Sequence, residues 1–180
     1  MFKVESIADY LANAIHKHDP NASSVGVLRY GLITMINLVI TISIVLIISV
    51  ATGDVLPALL SIAGFPILRY VSGGLHLKSS HMCNVITASF MLISIYTPIE
   101  YWYNGFVLNV AAATIIFIYA PTGIKKSTLD PKHYPVLKWI GVGIVSLNFI
   151  FQSHVLALVF FIQALTTTKF FNRLVAKFNL

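Results

Sequence analysis

Charge is what this sequence has least of: 10% of its 180 residues are Asp, Glu, Lys or Arg, against about 25% in a soluble domain. Such a chain cannot cover a water-facing surface, so a soluble globular fold is excluded. Acidic residues are the scarcer half, six against twelve Lys and Arg, which leaves a net charge of +6. In so apolar a chain that excess reads as basic residues flanking membrane spans, and no nucleic-acid partner is expected. Cysteine occurs once, at Cys83, so an internal disulfide is excluded. The first 25 residues hold no continuous apolar core, so no cleavable signal peptide is expected. There is neither an internal repeat nor a low-complexity linker, and residues 1–180 read as one integral membrane domain.

What is present is hydrophobic sequence, 57% of the chain. The stretch 31–51 is uncharged and rich in Ile, Leu and Val. At ~1.5 Å per residue it covers about 30 Å, one bilayer core. Further apolar stretches predict an all-α, polytopic transmembrane bundle of about six segments, near 31–51, 55–72, 82–99, 104–121, 138–152 and 154–168. The last two come from one uncharged stretch that is long for a single helix and short for two. Gln152, Ser153 and His154 form its polar cluster, the place for a turn. Charge placement favours two. With the amino terminus in the cytoplasm, six spans put all twelve basic residues inside, including Lys169, Arg173 and Lys177 of the tail 169–180. The loops holding Asp54 and Glu100 then carry no cation. Both termini are expected in the cytoplasm of a multi-pass cell-membrane protein.

Two flanking segments look interfacial. Val4, Ile7, Ala8, Leu11 and Ile15 recur at helical spacing opposite Glu5, Asp9, Asn13 and His16, which predicts an amphipathic helix over 4–18 lying on the membrane surface. At the other end Lys169, Arg173 and Lys177 recur among Phe170, Phe171, Leu174 and Phe178. Both segments fit plain membrane anchoring, and both also fit a landing surface for an amphipathic substrate.

The segment 69–83 concentrates the chemistry, because ionisable groups at membrane depth are costly and mark candidate sites. It holds Arg69, the pair Gly73-Gly74, His76, His81 and Cys83. A thiol becomes a nucleophile when an imidazole takes its proton. On one straight helix His76 and Cys83 would share a face yet lie ~10.5 Å apart. Cooperation therefore requires the backbone to double back, around Lys78, Ser79 and Ser80. Gly73 and Gly74 suit the start of such a re-entrant loop, since glycine accepts positive φ, and free N–H groups there would stabilise an oxyanion. Blander readings use the same residues. Glycine pairs serve close helix packing, and a lone membrane cysteine is commonly inert. A zinc site built on His76, His81 and Cys83 would need His133 or His154 as a further ligand, and its spacing fits no common pattern. No metal or cofactor is expected.

Taken together, Arg69, Gly73-Gly74, His76 and Cys83 set between apolar spans resemble the signature of the accessory gene regulator B family. Tyr119-Ala120-Pro121 and the lysines that follow are similar to that family's exit from its fourth span, as Arg29-Tyr30-Gly31 is to its approach to the first. The resemblance covers nearly the whole chain. It implies a cysteine endopeptidase of the Gram-positive cell membrane, with Cys83 as nucleophile and His76 as base. Arg69, Gly73, Gly74, Ser79 and Ser80 would form the supporting loop. Its partners would be the lipid bilayer and a short amphipathic propeptide, whose carboxy-terminal tail it removes on the way to a cyclic quorum-sensing peptide. Nothing in the sequence chooses between a monomer and a homodimer. The competing expectation is a transporter or channel with a polar pathway near Arg69 and His76.

Overall fold

A computed structural model describes residues 4–19, 21–74, 80–122 and 131–178. The described chain is helical: α1 (Val4–His18), α2 (Val25–Thr52), α3 (Val55–Ser72), α4 (Ser80–Tyr96), α5 (Phe106–Tyr119), α6 (Tyr134–Phe151), α7 (His154–Thr166) and α8 (Lys169–Phe178). A π-helical turn, Tyr101–Gly105, leads into α5. Among the described residues extended pairing is limited to one isolated bridge, Gly73 with Thr122.

Local chemistry sets most of the boundaries. The helix α2 stops at Gly53, which takes φ 87° and returns its N–H to Ser49, a glycine C-cap. Pro57 sits in the first turn of α3, where its missing N–H is harmless. Pro98 and Pro121 follow the ends of α4 and α5, where the preceding residue is pushed out of the helical region. Between α6 and α7, Gln152 adopts φ 53° and the Ser153 hydroxyl caps α7 by accepting from Leu156 N at 3.3 Å. The polar cluster in the long uncharged stretch is therefore where the chain turns.

Four helical stretches are long and apolar enough to cross a membrane: Val25–Thr52, Val55–Ser72, Tyr101–Tyr119 and Tyr134–Phe151. The apolar helices at His81–Tyr96 and His154–Thr166 are shorter. Together they make a helical membrane protein. At ~1.5 Å per residue α7 is only about 20 Å long, too short to face lipid at both ends. It does not have to. Val155, Ala157, Val159, Phe160, Gln163, Ala164 and Thr166 are all buried, and α7 packs against α3, α4, α5 and α6. It is the central post of the bundle. Gly64 lets α3 approach closely, since a Cβ there would meet Leu156 at 2.8 Å and Val159 at 3.2 Å, the small-residue packing common between membrane helices.

The peripheral helices are arranged by different rules. Along α2 only Thr41, Val45 and Ser49 are buried, as expected for a helix with lipid on most sides. The single apolar face read for α1 divides in two. Val4, Ala8 and Ala12 are buried where α1 packs on α2, while Ile7, Leu11 and Ile15 on the adjacent row stay partly exposed. Asp9 of α1 pairs with Arg29 of α2 and fixes the contact.

Candidate functional site

The helix carrying Arg69 ends at Ser72 and the helix carrying Cys83 begins at Ser80, so Arg69 and Cys83 do not share one helix. The break begins at glycine for a physical reason. Gly73 takes φ 68° and Gly74 φ 137°, a region that side chains with a Cβ avoid. Space demands glycine as well. A Cβ on Gly74 would lie 2.7 Å from Thr166 Oγ1, 3.2 Å from Gln163 Nε2 and 3.5 Å from Arg69 Nη1.

The turn is pinned on every side. Gly73 N–H donates to Arg69 O at 2.9 Å, and Gly74 N–H donates to Thr122 O at 3.0 Å. Thr122 N–H in turn donates to Ser72 O at 3.0 Å. From α7, Gln163 Nε2 donates to Gly73 O at 2.8 Å and to Ser72 Oγ at 3.1 Å. These bonds limit one expectation drawn from the sequence, of which the part on residues 75–79 lies outside the described residues. The N–H groups of Gly73 and Gly74 are both committed to carbonyls, so they are not free to receive an oxyanion.

Cys83 lies in the first turn of α4, half-buried and not in a disulfide. It shares a small cavity with Phe65, Arg69, Ile86, Thr87, Phe90 and Thr166. Arg69 enters from the last turn of α3, with its guanidinium 5.8 Å from the centre of the Phe65 ring, within cation–π range. Apart from the Thr87 and Thr166 hydroxyls the rest of the wall is apolar, which keeps the local dielectric low and strengthens any charge acting there.

Of the residues singled out in the sequence, the fold brings together Arg69, Gly73, Gly74 and Cys83. Ser80 is the first residue of α4. His76 and Ser79 lie outside the described residues. Among those described, no three His, Cys, Asp or Glu side chains converge as metal ligands. His154 opens α7, at the opposite end from Thr166 and the Cys83 cavity, which argues against it as a zinc ligand here. Sequence reasoning overlooked Ser72, Thr122, Gln163 and Thr166. One signal was available for Gln163: it is the sole amide inside the apolar run 155–164, and polar groups at membrane depth merit attention.

A family model described as Accessory gene regulator B matches residues 4–175. Neither a curated protein nor a solved structure matches the chain.

Proposed function

The chain belongs to the accessory gene regulator B family, whose role is propeptide processing for quorum sensing, and from that premise we propose that it is a membrane-embedded cysteine endopeptidase. Its substrate is a short amphipathic propeptide, and its nucleophile is Cys83. The observation that carries this reading is the placement of a half-buried thiol beside the Arg69 guanidinium, at a helix break, in a cavity with apolar walls.

The chemistry follows from those groups. The imidazole of His76 takes the Cys83 proton, and the sulfur attacks the carbonyl carbon preceding the propeptide's tail. When the C–N bond breaks, the imidazolium returns its proton to the leaving amine, the tail departs and an acyl-thioester remains on Cys83. A cysteine thiol within the propeptide then attacks the same carbonyl. One thioester is exchanged for another, a step near energetic balance, and Cys83 recovers its proton. A propeptide serine would give a lactone by the same route. Hydrolysis of the intermediate is strongly downhill, so water has to be held back, and a cavity walled by Phe65, Ile86 and Phe90 supports that.

In this reading the helices form a multi-pass bundle with both termini in the cytoplasm, following the one-sided distribution of Lys and Arg. The Cys83 end then faces the cytoplasm, where a propeptide is made. α1 and α8 lie along the inner surface.

The test uses full-length protein in vesicles with a synthetic propeptide. Wild type is expected to release the tail and to show an acyl adduct on Cys83 by mass spectrometry. Cys83→Ser should insert normally and release no tail. Tail release by Cys83→Ser at the wild-type rate would end the reading of Cys83 as nucleophile, and propeptide carried uncut across the vesicle membrane by wild type would favour a transport role.

A further inference from the structure

Deep in α7 a carboxamide sits where an apolar helix has least reason to carry one. Gln163 is fully buried, and an amide taken from water is costly unless its groups are paired. Here they are paired, and the pairing has a direction. Both amide hydrogens point at the end of α3, one to Gly73 O at 2.8 Å and one to Ser72 Oγ at 3.1 Å. The Thr166 hydroxyl donates to Gln163 O at 2.7 Å, and Gln163 Oε1, 3.3 Å away, is the weaker second acceptor for the same proton.

A residue present merely to fill space would be Leu or Met. Neither would donate to the Gly73 carbonyl. Gly73 O belongs to a residue at positive φ, so it has left the helical ladder and takes its donors from side chains. Ser72 Oγ donates to it within the turn at 3.2 Å, and Gln163 makes the shorter bond, 2.8 Å, from the most enclosed helix of the bundle. The neighbouring Thr166 closes the link, because it touches the Gly74 position and also borders the Cys83 cavity.

We infer that Gln163 is a positioning residue of the site, holding the Gly73 carbonyl so that the Gly73-Gly74 turn keeps its place against Arg69 and Thr166 beside the Cys83 cavity. The inference rests on the reading of Cys83 as nucleophile. It assigns α7 a role in the reaction: Gln163 touches neither substrate nor sulfur and acts through the glycine turn.

The experiment compares kcat and KM for tail release in reconstituted full-length protein, with rates expressed per Cys83 thiol titrated by a maleimide. Counting thiols normalises for the amount of protein, and thermal unfolding of the same sample checks that it is folded. Gln163→Met is expected to lower kcat by about 10- to 100-fold, since a small displacement of a reacting group is that costly. KM should stay within about twofold, as expected when an interaction acts in the transition state rather than in binding. Thr166→Val, nearly isosteric, should lower kcat by about 3- to 10-fold, the worth of one neutral hydrogen bond. If Gln163→Met does not insert, Thr166→Val carries the test. Wild-type kcat in Thr166→Val, or in an inserted Gln163→Met, overturns the inference. So does a loss confined to KM. Failure of the underlying reading looks different: Cys83→Ser would then still release the tail, whatever Gln163 does.

Discussion

The guanidinium of Arg69 and the sulfur of Cys83 border one cavity, the first from the last turn of α3 and the second from the first turn of α4. The chain between them is not helical throughout, yet both residues line the same cavity. Since the N–H groups of Gly73 and Gly74 are bonded to Arg69 O and Thr122 O, the fixed charge of Arg69 is, among the described residues lining the cavity, the group that can act on negative charge there. Arg69→Met is therefore expected to slow acylation of Cys83 by about 100-fold, the scale for losing one preorganised electrostatic group. Arg69→Lys should recover only part of the rate, because an ammonium keeps the charge but not the delocalised guanidinium that lies over the Phe65 ring. Single-turnover tail release measures both. An Arg69→Met enzyme as fast as wild type would remove the charge from the mechanism.

Gly74→Ala tests the turn itself. The substitution combines a φ of 137° with a Cβ placed 2.7 Å from Thr166 Oγ1. Strain of this kind costs about 1–3 kcal/mol, and the turn is expected to shift rather than the bundle to unfold. The variant should remain inserted, with a lowered melting temperature and tail release reduced at least tenfold. Normal processing by Gly74→Ala would show that the turn tolerates a Cβ.

The far end of the bundle offers a stability test that should leave chemistry alone. Asn148 Nδ2 donates to Asn109 Oδ1 at 3.1 Å and to Ser153 O at 3.0 Å, and Asn148 Oδ1 accepts from Ser153 N at 3.1 Å. Asn109 Nδ2 donates in turn to Val145 O at 3.2 Å. These bonds tie α5 to α6 and clamp the turn into α7. Asn148→Ala is expected to destabilise the protein by about 1–3 kcal/mol, because it strands buried partners. Asn148→Ala and Asn109→Ala should be non-additive by about 0.5 kcal/mol or more in a double-mutant cycle. Thermal unfolding in detergent measures it, and additive losses would mean that the two amides act independently.

Topology can be read with thiol labelling in a Cys83→Ser background. Asp54→Cys and Glu100→Cys are expected to react with a membrane-impermeant maleimide added outside intact cells. Lys132→Cys and Arg173→Cys should react only after the membrane is opened. Outside labelling of Arg173→Cys would place the carboxy terminus on the other face and invert the final pair of helices.

Much of the architecture is visible in the linear sequence because its causes are local. Apolar runs at 31–51 and 55–72 identify membrane helices without reference to any neighbour. Gly53, Pro98 and Pro121 punctuate them through their own backbone preferences. The same holds for the break at Gly73-Gly74, where positive φ selects glycine, and for the turn at Gln152-Ser153. The split face of α1 was harder to see, since hydrophobicity alone does not say whether Ala8 and Ala12 meet a helix while Ile7 and Leu11 meet lipid.

Patterning along the chain was thus enough to establish an apolar helical bundle and to single out the short segment that bears the thiol and the arginine. Which groups confront each other across the bundle was settled by folding. Gln163 and Gly73 are 90 positions apart, and no periodicity in either helix announces their bond. The sacrifice of both glycine N–H groups to carbonyls and the enclosure of a helix as short as α7 have the same origin. Backbone preference is a property of a residue and its immediate neighbours, whereas hydrogen-bond partnership and burial belong to pairs of elements that exist only once the helices have packed.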